Sequence, residues 1–202
     1  MGKLIVTEFI TLDGVAQGPG RPDEDRDGGF VHGGWQAPLA DDGSDGVVFE
    51  QARSMDALLL GRKTYEIFAD CWPKAAEETP FTGLLNGVPK YVRSRTLAGP
   101  LAWQGATLVT GDLPESINAL KDRHDEVHVI GSLDLVQSLL HFGLVDQLNL
   151  WLYPLLLGSG KRLFADGTVP SALHLTDSVT YPSGALHLTY DTAGTPTYGA
   201  AG

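Results

Sequence analysis

Cations and hydroxyl groups gather at two points, each directly after a predicted strand. Residues 61–64 (Gly-Arg-Lys-Thr) follow the apolar strand 57–60, and residues 93–96 (Arg-Ser-Arg-Thr) follow the strand 88–92 (Val-Pro-Lys-Tyr-Val). The N-terminus of a helix presents free backbone N–H groups to an anion, and arginine adds a bidentate partner for phosphate. These residue types therefore predict a phosphate site. Ordinary surface cations that pair with carboxylates remain the alternative interpretation.

A third turn, Gly131-Ser132, follows residues 127–130 (Val-His-Val-Ile), which we predict to be a strand. Glycine allows the backbone to approach a ligand closely, and the serine hydroxyl can cap the next helix. If the three turns lie at the same edge of a sheet, they form one site.

Strands and helices alternate through the middle of the chain. We predict strands at 3–12, 57–60, 88–92, 106–110, 127–130 and 146–155, helices at 45–55, 61–68, 114–123 and 133–141, and a hairpin of strands 173–181 and 185–191 around Pro182-Ser183-Gly184. This order predicts an α/β fold with a mostly parallel sheet, helices on both faces and an antiparallel C-terminal edge. In such sheets ligands bind at the carboxyl ends of the strands, where the three turns lie.

Outside the predicted strands and helices, the main features of the chain are one long loop and a C-terminal tail. A long loop, rich in Gly, Pro and Asp, covers 13–44, and loops of this length are usually functional or mobile. We expect a single domain over residues 1–192 and a flexible tail over 193–202.

Composition excludes several classes of protein. The 202 residues include 14 Lys and Arg against 25 Asp and Glu, a net charge of −11, which disfavours nucleic-acid binding. The single cysteine, Cys71, cannot form an intramolecular disulfide or a multi-cysteine zinc site, and we predict no metal site. The most apolar stretch, Leu148–Leu157, is much shorter than the about 20 residues of a membrane span, and residues 1–8 do not resemble a signal peptide. A cytoplasmic location is the resulting expectation.

Taken in this order, the motifs resemble the dihydrofolate reductase fold, and more closely the reductase domain at the C-terminus of the bifunctional riboflavin-biosynthesis deaminase-reductase. The resemblance runs from about Lys3 to Asp191. Its carriers are the three turns together with 11–15 (Thr-Leu-Asp-Gly-Val), 143–148 (Gly-Leu-Val-Asp-Gln-Leu) and 154–161 (Pro-Leu-Leu-Leu-Gly-Ser-Gly-Lys). It implies a three-layer α/β/α fold.

The resemblance also implies NADPH as cofactor. By position, the residues expected at the 2′-phosphate and pyrophosphate are Gly61, Arg62, Lys63, Thr64, Ser94 and Arg95, with Ile130, Gly131, Ser132 and Leu133 as the second glycine turn, and Val15 and Ala16 beside the nicotinamide.

The substrate side is predicted from the same resemblance. Folate-specific reductases carry a carboxylate early in their first long helix, and sixteen residues before Gly61 this chain has Asp45, with Phe49 four residues further on. Asp45 is a candidate proton donor or only a helix N-cap, and Asp13 is a second candidate donor. Trp35 either stacks on a flat heterocycle or anchors the loop.

A chain with one cysteine cannot supply the zinc signature of the companion deaminase, so the resemblance implies a free-standing reductase. The implied activity is NADPH-dependent reduction of a pterin-, pyrimidine- or ribosylaminopyrimidine-like compound, related to 5-amino-6-(5-phosphoribosylamino)uracil reductase. The alternatives are dihydrofolate reductase activity proper and an NADPH-binding protein without turnover. The resemblance further implies a homodimer that pairs through sheet edges and hairpins.

Overall fold

Eight strands form one mixed sheet in the computed structural model, which describes residues 1–40, 42–75 and 79–200, with the side chains of 42–45 left out. The strands are β1 (Lys3–Thr11), β2 (Ala57–Gly61), β3 (Lys90–Arg93), β4 (Ala106–Val109), β5 (Glu126–Ile130), β6 (Gln147–Tyr153), β7 (Leu173–Thr180) and β8 (Leu186–Thr192). Their order is β4-β3-β2-β5-β1-β6-β8-β7. The first six in that order are parallel, and β8 and β7 add antiparallel pairs, which confirms the predicted fold class.

Five α-helices connect or flank these strands in the described part of the chain. They are α1 (Asp42–Ala52), α2 (Arg62–Cys71), α3 (Pro80–Gly87), α4 (Leu113–Lys121) and α5 (Leu133–His141). The sequence analysis missed α3. The hydroxyl of Thr79 accepts a hydrogen bond from the Thr82 N–H at 3.2 Å, and Pro80 occupies the first turn. These features favour a helix start and outweigh the cost of Gly83 within so short a segment.

Each face of the sheet is covered by helices. On one face, Ile117 of α4 and Leu139 of α5 pack in a core with Val6 and Val129. On the other face, Tyr65 of α2 and Leu85 of α3 pack in a core with residues of β2 and β3. The result is the expected three-layer arrangement, in which the carboxyl ends of six parallel strands meet at a single edge.

The C-terminal hairpin forms the opposite side of the sheet from β4. All eight residues of β7 are exposed. Beyond β8, the backbones of Ala193 and Gly194 exchange hydrogen bonds with Ala172 at 2.8 and 2.7 Å. Within the described ranges, no helix combines the length and the apolar character that crossing a bilayer requires.

Candidate functional site

A cleft of about 1160 Å³ opens where the carboxyl ends of β1, β2, β3 and β5 meet. Its walls are formed by those strand ends, the first turns of α2 and α5, and the loop that follows β1. Eleven of the twelve residues predicted to bind cofactor line it: Ala16, Gly61, Arg62, Lys63, Thr64, Ser94, Arg95, Ile130, Gly131, Ser132 and Leu133. The twelfth, Val15, is fully buried and pairs with Thr11 through its backbone.

Two of the predicted turns are joined to each other. The Gly61 N–H donates to Ser132 Oγ at 2.9 Å, and the Ser132 N–H donates to Thr64 Oγ1 at 3.0 Å. The turn between β2 and α2 and the turn between β5 and α5 are therefore fixed side by side. This places the N-termini of both helices, with their unpaired backbone N–H groups, along one wall of the cleft.

The joined turns hold an unusual backbone. Ser132 has φ +67° and ψ +41°, a left-handed conformation that is uncommon for a residue with a side chain. Gly131 precedes it at φ +63°, and a Cβ there would lie 3.3 Å from Thr64 Cγ2. Backbone strain of this kind is often found at ligand-binding sites, where surrounding contacts hold it in place.

Four cationic side chains surround the joined turns, and they differ in whether they already have a hydrogen-bond or ion-pair partner. Arg62 reaches Glu66 one turn along α2 at 3.1 Å, in an exposed pair. Lys63 forms an ion pair with Asp27 of the loop. Arg93 donates to the carbonyl oxygen of Gly111 at 2.6 Å and so braces the chain after β4. Arg95 is exposed and makes no hydrogen bond or ion pair with any residue that the structure describes.

The turn after β3 is shaped by Ser94. Its hydroxyl accepts the N–H groups of Thr96 and Leu97 at 3.1 and 2.9 Å. The predicted role of Ser94 was phosphate binding, and in the structure its oxygen is already used to present Arg95.

The cleft is apolar and aromatic toward α1, α2 and α3. Phe49, which was predicted on the substrate side, lies here with Phe68, Trp72 and Phe81. Trp72 makes edge-to-face contacts with Phe68 at 5.9 Å and with Phe81 at 5.5 Å. Such a wall is suited to a flat ring.

The loop after β1 is anchored at Gln17. The Gln17 side chain donates to the carbonyls of Asp25 and Asp27 at 3.3 and 3.1 Å and accepts the Lys161 N–H at 3.0 Å. The indole of Trp35 donates to the Gln17 carbonyl at 2.9 Å and packs against Tyr153. Trp35 is buried outside the cleft, so of its two predicted roles the structure places it where it anchors the loop.

The arrangement can be compared with known proteins. The family model described as the RibD C-terminal domain matches residues 2–187 of the chain. The protein belongs to the RibD C-terminal domain family. A curated relative, the uncharacterized protein YyaP of Bacillus subtilis (strain 168), is 27% identical over 196 residues, which cover 93% of this chain and 94% of the relative.

Solved structures similar to this member of the RibD C-terminal domain family share its fold. A putative riboflavin biosynthesis protein from Shewanella sp. PV-4 has a TM-score of 0.67 and 21% identity, covering 95% of this chain and 99% of its own. A pyrimidine reductase-like protein from Corynebacterium diphtheriae has a TM-score of 0.66 and 16% identity, with 95% and 92% covered. The Thermotoga maritima protein described as diaminohydroxyphosphoribosylaminopyrimidine deaminase/5-amino-6-(5-phosphoribosylamino)uracil reductase has a TM-score of 0.60 and 15% identity, and the match covers 95% of this chain but 57% of that one. The dihydrofolate reductase-like fold is thereby confirmed.

Of the two predicted proton donors in this RibD-type domain, the structure describes the side chain of Asp13 but not that of Asp45. The Asp13 carboxylate accepts hydrogen bonds from the Thr11 hydroxyl and from the backbone N–H groups of Leu157 and Gly158, at 2.6, 3.2 and 2.8 Å. These bonds, above all the one from Thr11, lower the pKa of Asp13 to about 2. Asp13 lies outside the cleft, and an acid ionised at neutral pH cannot donate a proton, so this placement argues against its predicted role. The side chain of Asp45 lies outside the described residues.

A carboxyl group that sequence reasoning missed lies within the cleft wall. Glu8 of β1 is 2% exposed, and burial raises its pKa to about 8. Oε1 of Glu8 is buried without a hydrogen-bond partner among the described residues. The available signal was a single acidic residue inside the apolar strand Leu4–Thr11, which is rare unless the acid is paired or has a function.

The donor set of the RibD-type cleft fits a phosphorylated dinucleotide. Two helix N-termini and the side chains of Arg62 and Arg95 provide anion-binding groups, and the aromatic wall provides a surface for a ring. The described residues contain no cluster of three or more His, Cys, Asp or Glu side chains that could hold a metal ion.

Proposed function

We propose that the protein is an NADPH-dependent reductase of a small, flat heterocycle of the pterin, pyrimidine or ribosylaminopyrimidine kind. The observation that carries the proposal is the pair of joined glycine turns, which bring two helix N-termini and Arg62 to one cleft. Membership of the RibD C-terminal domain family supports it, as do the relatives described as a pyrimidine reductase-like protein and a uracil reductase.

In this proposal the chain provides binding, orientation and exclusion of water. Arg62 and Arg95 contact the 2′-phosphate, and the first turn of α5 with Gly131 receives the pyrophosphate. When bound, NADPH supplies a hydride from its reduced nicotinamide ring. The loop anchored at Gln17 closes one side of the cleft and limits the access of water. Phe49 and its aromatic neighbours orient the ring to be reduced.

The first experiment is a titration of the protein with NADPH and, separately, with NADH. Energy transfer from the four tryptophans to the reduced nicotinamide reports binding. We expect NADPH to bind much more tightly than NADH, because only NADPH carries the 2′-phosphate. Equal affinities would contradict a 2′-phosphate site, and binding of neither would remove the reductase proposal.

Replacing Arg62 tests the position of that phosphate. We expect Arg62→Ala to weaken NADPH binding by about 1–3 kcal/mol, roughly 5- to 140-fold, and to leave NADH binding almost unchanged. Arg53→Ala is the matched control, because Arg53, directly after α1, also forms an exposed pair with a glutamate, Glu50 at 2.8 Å, but lies outside the cleft. Unchanged NADPH affinity in Arg62→Ala would place the phosphate elsewhere.

A screen of acceptors then separates the remaining alternatives. NADPH oxidation is followed with dihydrofolate, other pterins, flavins and pyrimidines. Selective turnover of dihydrofolate would indicate dihydrofolate reductase activity proper. NADPH binding without turnover of any acceptor would indicate a binding protein that lacks the chemistry.

A further inference from the structure

Glu8 lines the cleft but has no role in the cofactor-binding arrangement proposed above. It lies between Thr7 and Phe9 on β1, and all three line the cleft. The Thr7 carbonyl accepts the Gly131 N–H at 3.4 Å, so Glu8 is next to the glycine turn that we assign to the cofactor. Its Oε1 atom has no hydrogen-bond partner among the described residues, although a polar atom buried there should have one.

The other carboxyl groups that the structure describes in the cleft are Glu24, Asp25 and Asp134, and each is held by its surroundings. Glu24 accepts the N–H groups of Gly20 and Arg21 at 2.7 and 2.9 Å, and Asp25 pairs with Lys161 at 2.5 Å. Asp134 lies in the first turn of α5, where a negative charge is favoured by the helix dipole. Glu8 differs from these three because it is buried in the wall and its Oε1 atom has no hydrogen-bond partner among the residues described.

The protonation state of Glu8 follows from this position. Burial raises its pKa to about 8, and no neighbouring charge contributes to the shift. Six positive side chains line the same cleft: Arg21, Arg62, Lys63, Arg93, Arg95 and Lys161. Three of these side chains form ion pairs with other carboxylates. Arg62 pairs with Glu66, Lys63 pairs with Asp27, and Lys161 pairs with both Asp25 and Asp27. The carboxyl group therefore holds a proton at neutral pH, at a pKa close to the value at which general acids work best.

We propose that Glu8 is the proton donor of the reduction and that the acceptor is a ring compound with a C=N or C=O bond. This inference rests on the proposed function. Transfer of a hydride to the carbon of that bond leaves an electron pair on the nitrogen or oxygen. The Glu8 O–H gives its proton to that atom, NADPH becomes NADP⁺, and the Glu8 carboxylate takes a new proton from water.

A spectroscopic measurement tests the first half of the proposal without any substrate. The infrared C=O band of a protonated carboxylic acid is followed from pH 5 to 10, in the free protein and with NADPH bound. We expect a band that persists at pH 7, disappears around pH 8 to 9 and is missing in Glu8→Gln. Glu115→Gln, at an exposed position of α4, should leave the band unchanged. Absence of the band at pH 7 in the wild-type protein would overturn the proposal.

Kinetics with an acceptor found in the screen test the second half. We expect Glu8→Gln to lower kcat by about 100-fold or more, the usual contribution of a general acid, with an NADPH Kd within about twofold of wild type. The wild-type kcat should fall as pH rises through about 8, and that fall should be absent in the variant. A variant with wild-type kcat and the same pH profile would overturn the donor role.

The two proposals fail in distinguishable ways. If Glu8 is protonated and NADPH binds but no acceptor is reduced, the reductase proposal fails and the donor role fails with it. If acceptors are reduced and Glu8→Gln is fully active, only the donor role fails.

Folding of the variant is checked by denaturant unfolding. Wild-type stability should fall as pH rises from about 4.5 through about 8, whereas Glu8→Gln should lack this dependence.

Discussion

Glu8 and Asp13 lie five residues apart in the chain and have opposite protonation states at neutral pH. Glu8 is buried in the cleft wall, and its Oε1 atom meets no hydrogen-bond partner in the described part of the chain, so burial disfavours its charged form. Asp13 accepts hydrogen bonds from one hydroxyl and two backbone N–H groups, which favour its charged form. The surroundings of a carboxyl group, rather than its residue type, therefore decide which of the two can deliver a proton.

The bracing role of Asp13 leads to a stability prediction. Because its pKa is lowered from 3.8 to about 2, the stabilisation it contributes is complete above pH 3.8 and is lost as pH falls through about 2. We expect Asp13→Asn to reduce the free energy of unfolding by about 1–3 kcal/mol at pH 7, because the amide has one acceptor oxygen where two serve the backbone of Leu157 and Gly158. Urea unfolding at pH 7 and near pH 2 measures the difference, which should shrink at the lower pH. Asp166→Asn, at an exposed position outside the cleft, is the control.

At the scale of the elements, the joined turns explain how separate motifs become one site. Gly61 and Ser132 are 71 residues apart in sequence but are neighbours because β2 and β5 are adjacent parallel strands. The alternation of strands and helices predicted that these turns share an edge. It did not predict the hydrogen bonds between them, because those depend on strand order, which the sequence pattern leaves open.

Other elements mark the limits of sequence reasoning for similar reasons. Strand and helix boundaries were predicted within a few residues wherever apolar periodicity was strong, as at α5 and β5. The position of Glu8 in the cleft wall, and of Trp35 outside it, depends on how the loop after β1 folds back on the sheet. No local pattern encodes that packing, so Glu8 was missed and both roles of Trp35 stayed open.

The loop after β1 is held by ion pairs that can be removed selectively. Lys161 contacts Asp25 at 2.5 Å and Asp27 at 3.0 Å, and Asp27 also pairs with Lys63. We expect Lys161→Met to keep the packing of the side-chain stem but to speed amide hydrogen exchange in residues 16–27. The free energy of unfolding should fall by less than about 1 kcal/mol, since partly exposed ion pairs contribute little to global stability.

Hydrogen exchange followed by mass spectrometry measures this change. Arg53→Met provides the control, because Arg53 forms an exposed ion pair with Glu50 and lies outside the cleft. Exchange in 16–27 equal to that of wild type would mean that Gln17 and Trp35 alone hold the loop.

For the molecule as a whole, positive charge is concentrated in the cleft although the chain is acidic. The net charge is −11, yet the cleft gathers six of the 14 Lys and Arg side chains. At 0.1 M salt, exposed charges are screened over about 10 Å, so an anion in the cleft interacts more strongly with these cations than with distant acidic residues. A strongly acidic protein can therefore still bind a phosphorylated cofactor.

The far side of the sheet leads to a prediction about assembly. β7 is an edge strand whose eight residues are all exposed, including Leu173, Leu175 and Val179, and no described element covers its outer edge. Unpaired backbone groups on a long edge strand with apolar side chains favour pairing with another strand. We expect a homodimer in which β7 meets β7 of a second copy.

Light scattering coupled to size-exclusion chromatography should give twice the 21.6 kDa mass of one chain. Leu175→Lys should shift the mass to that of a monomer, whereas Leu156→Lys, which adds the same charge at an exposed leucine outside β7, should not. A monomeric wild-type protein, or a dimer that both variants preserve, would contradict pairing through this edge.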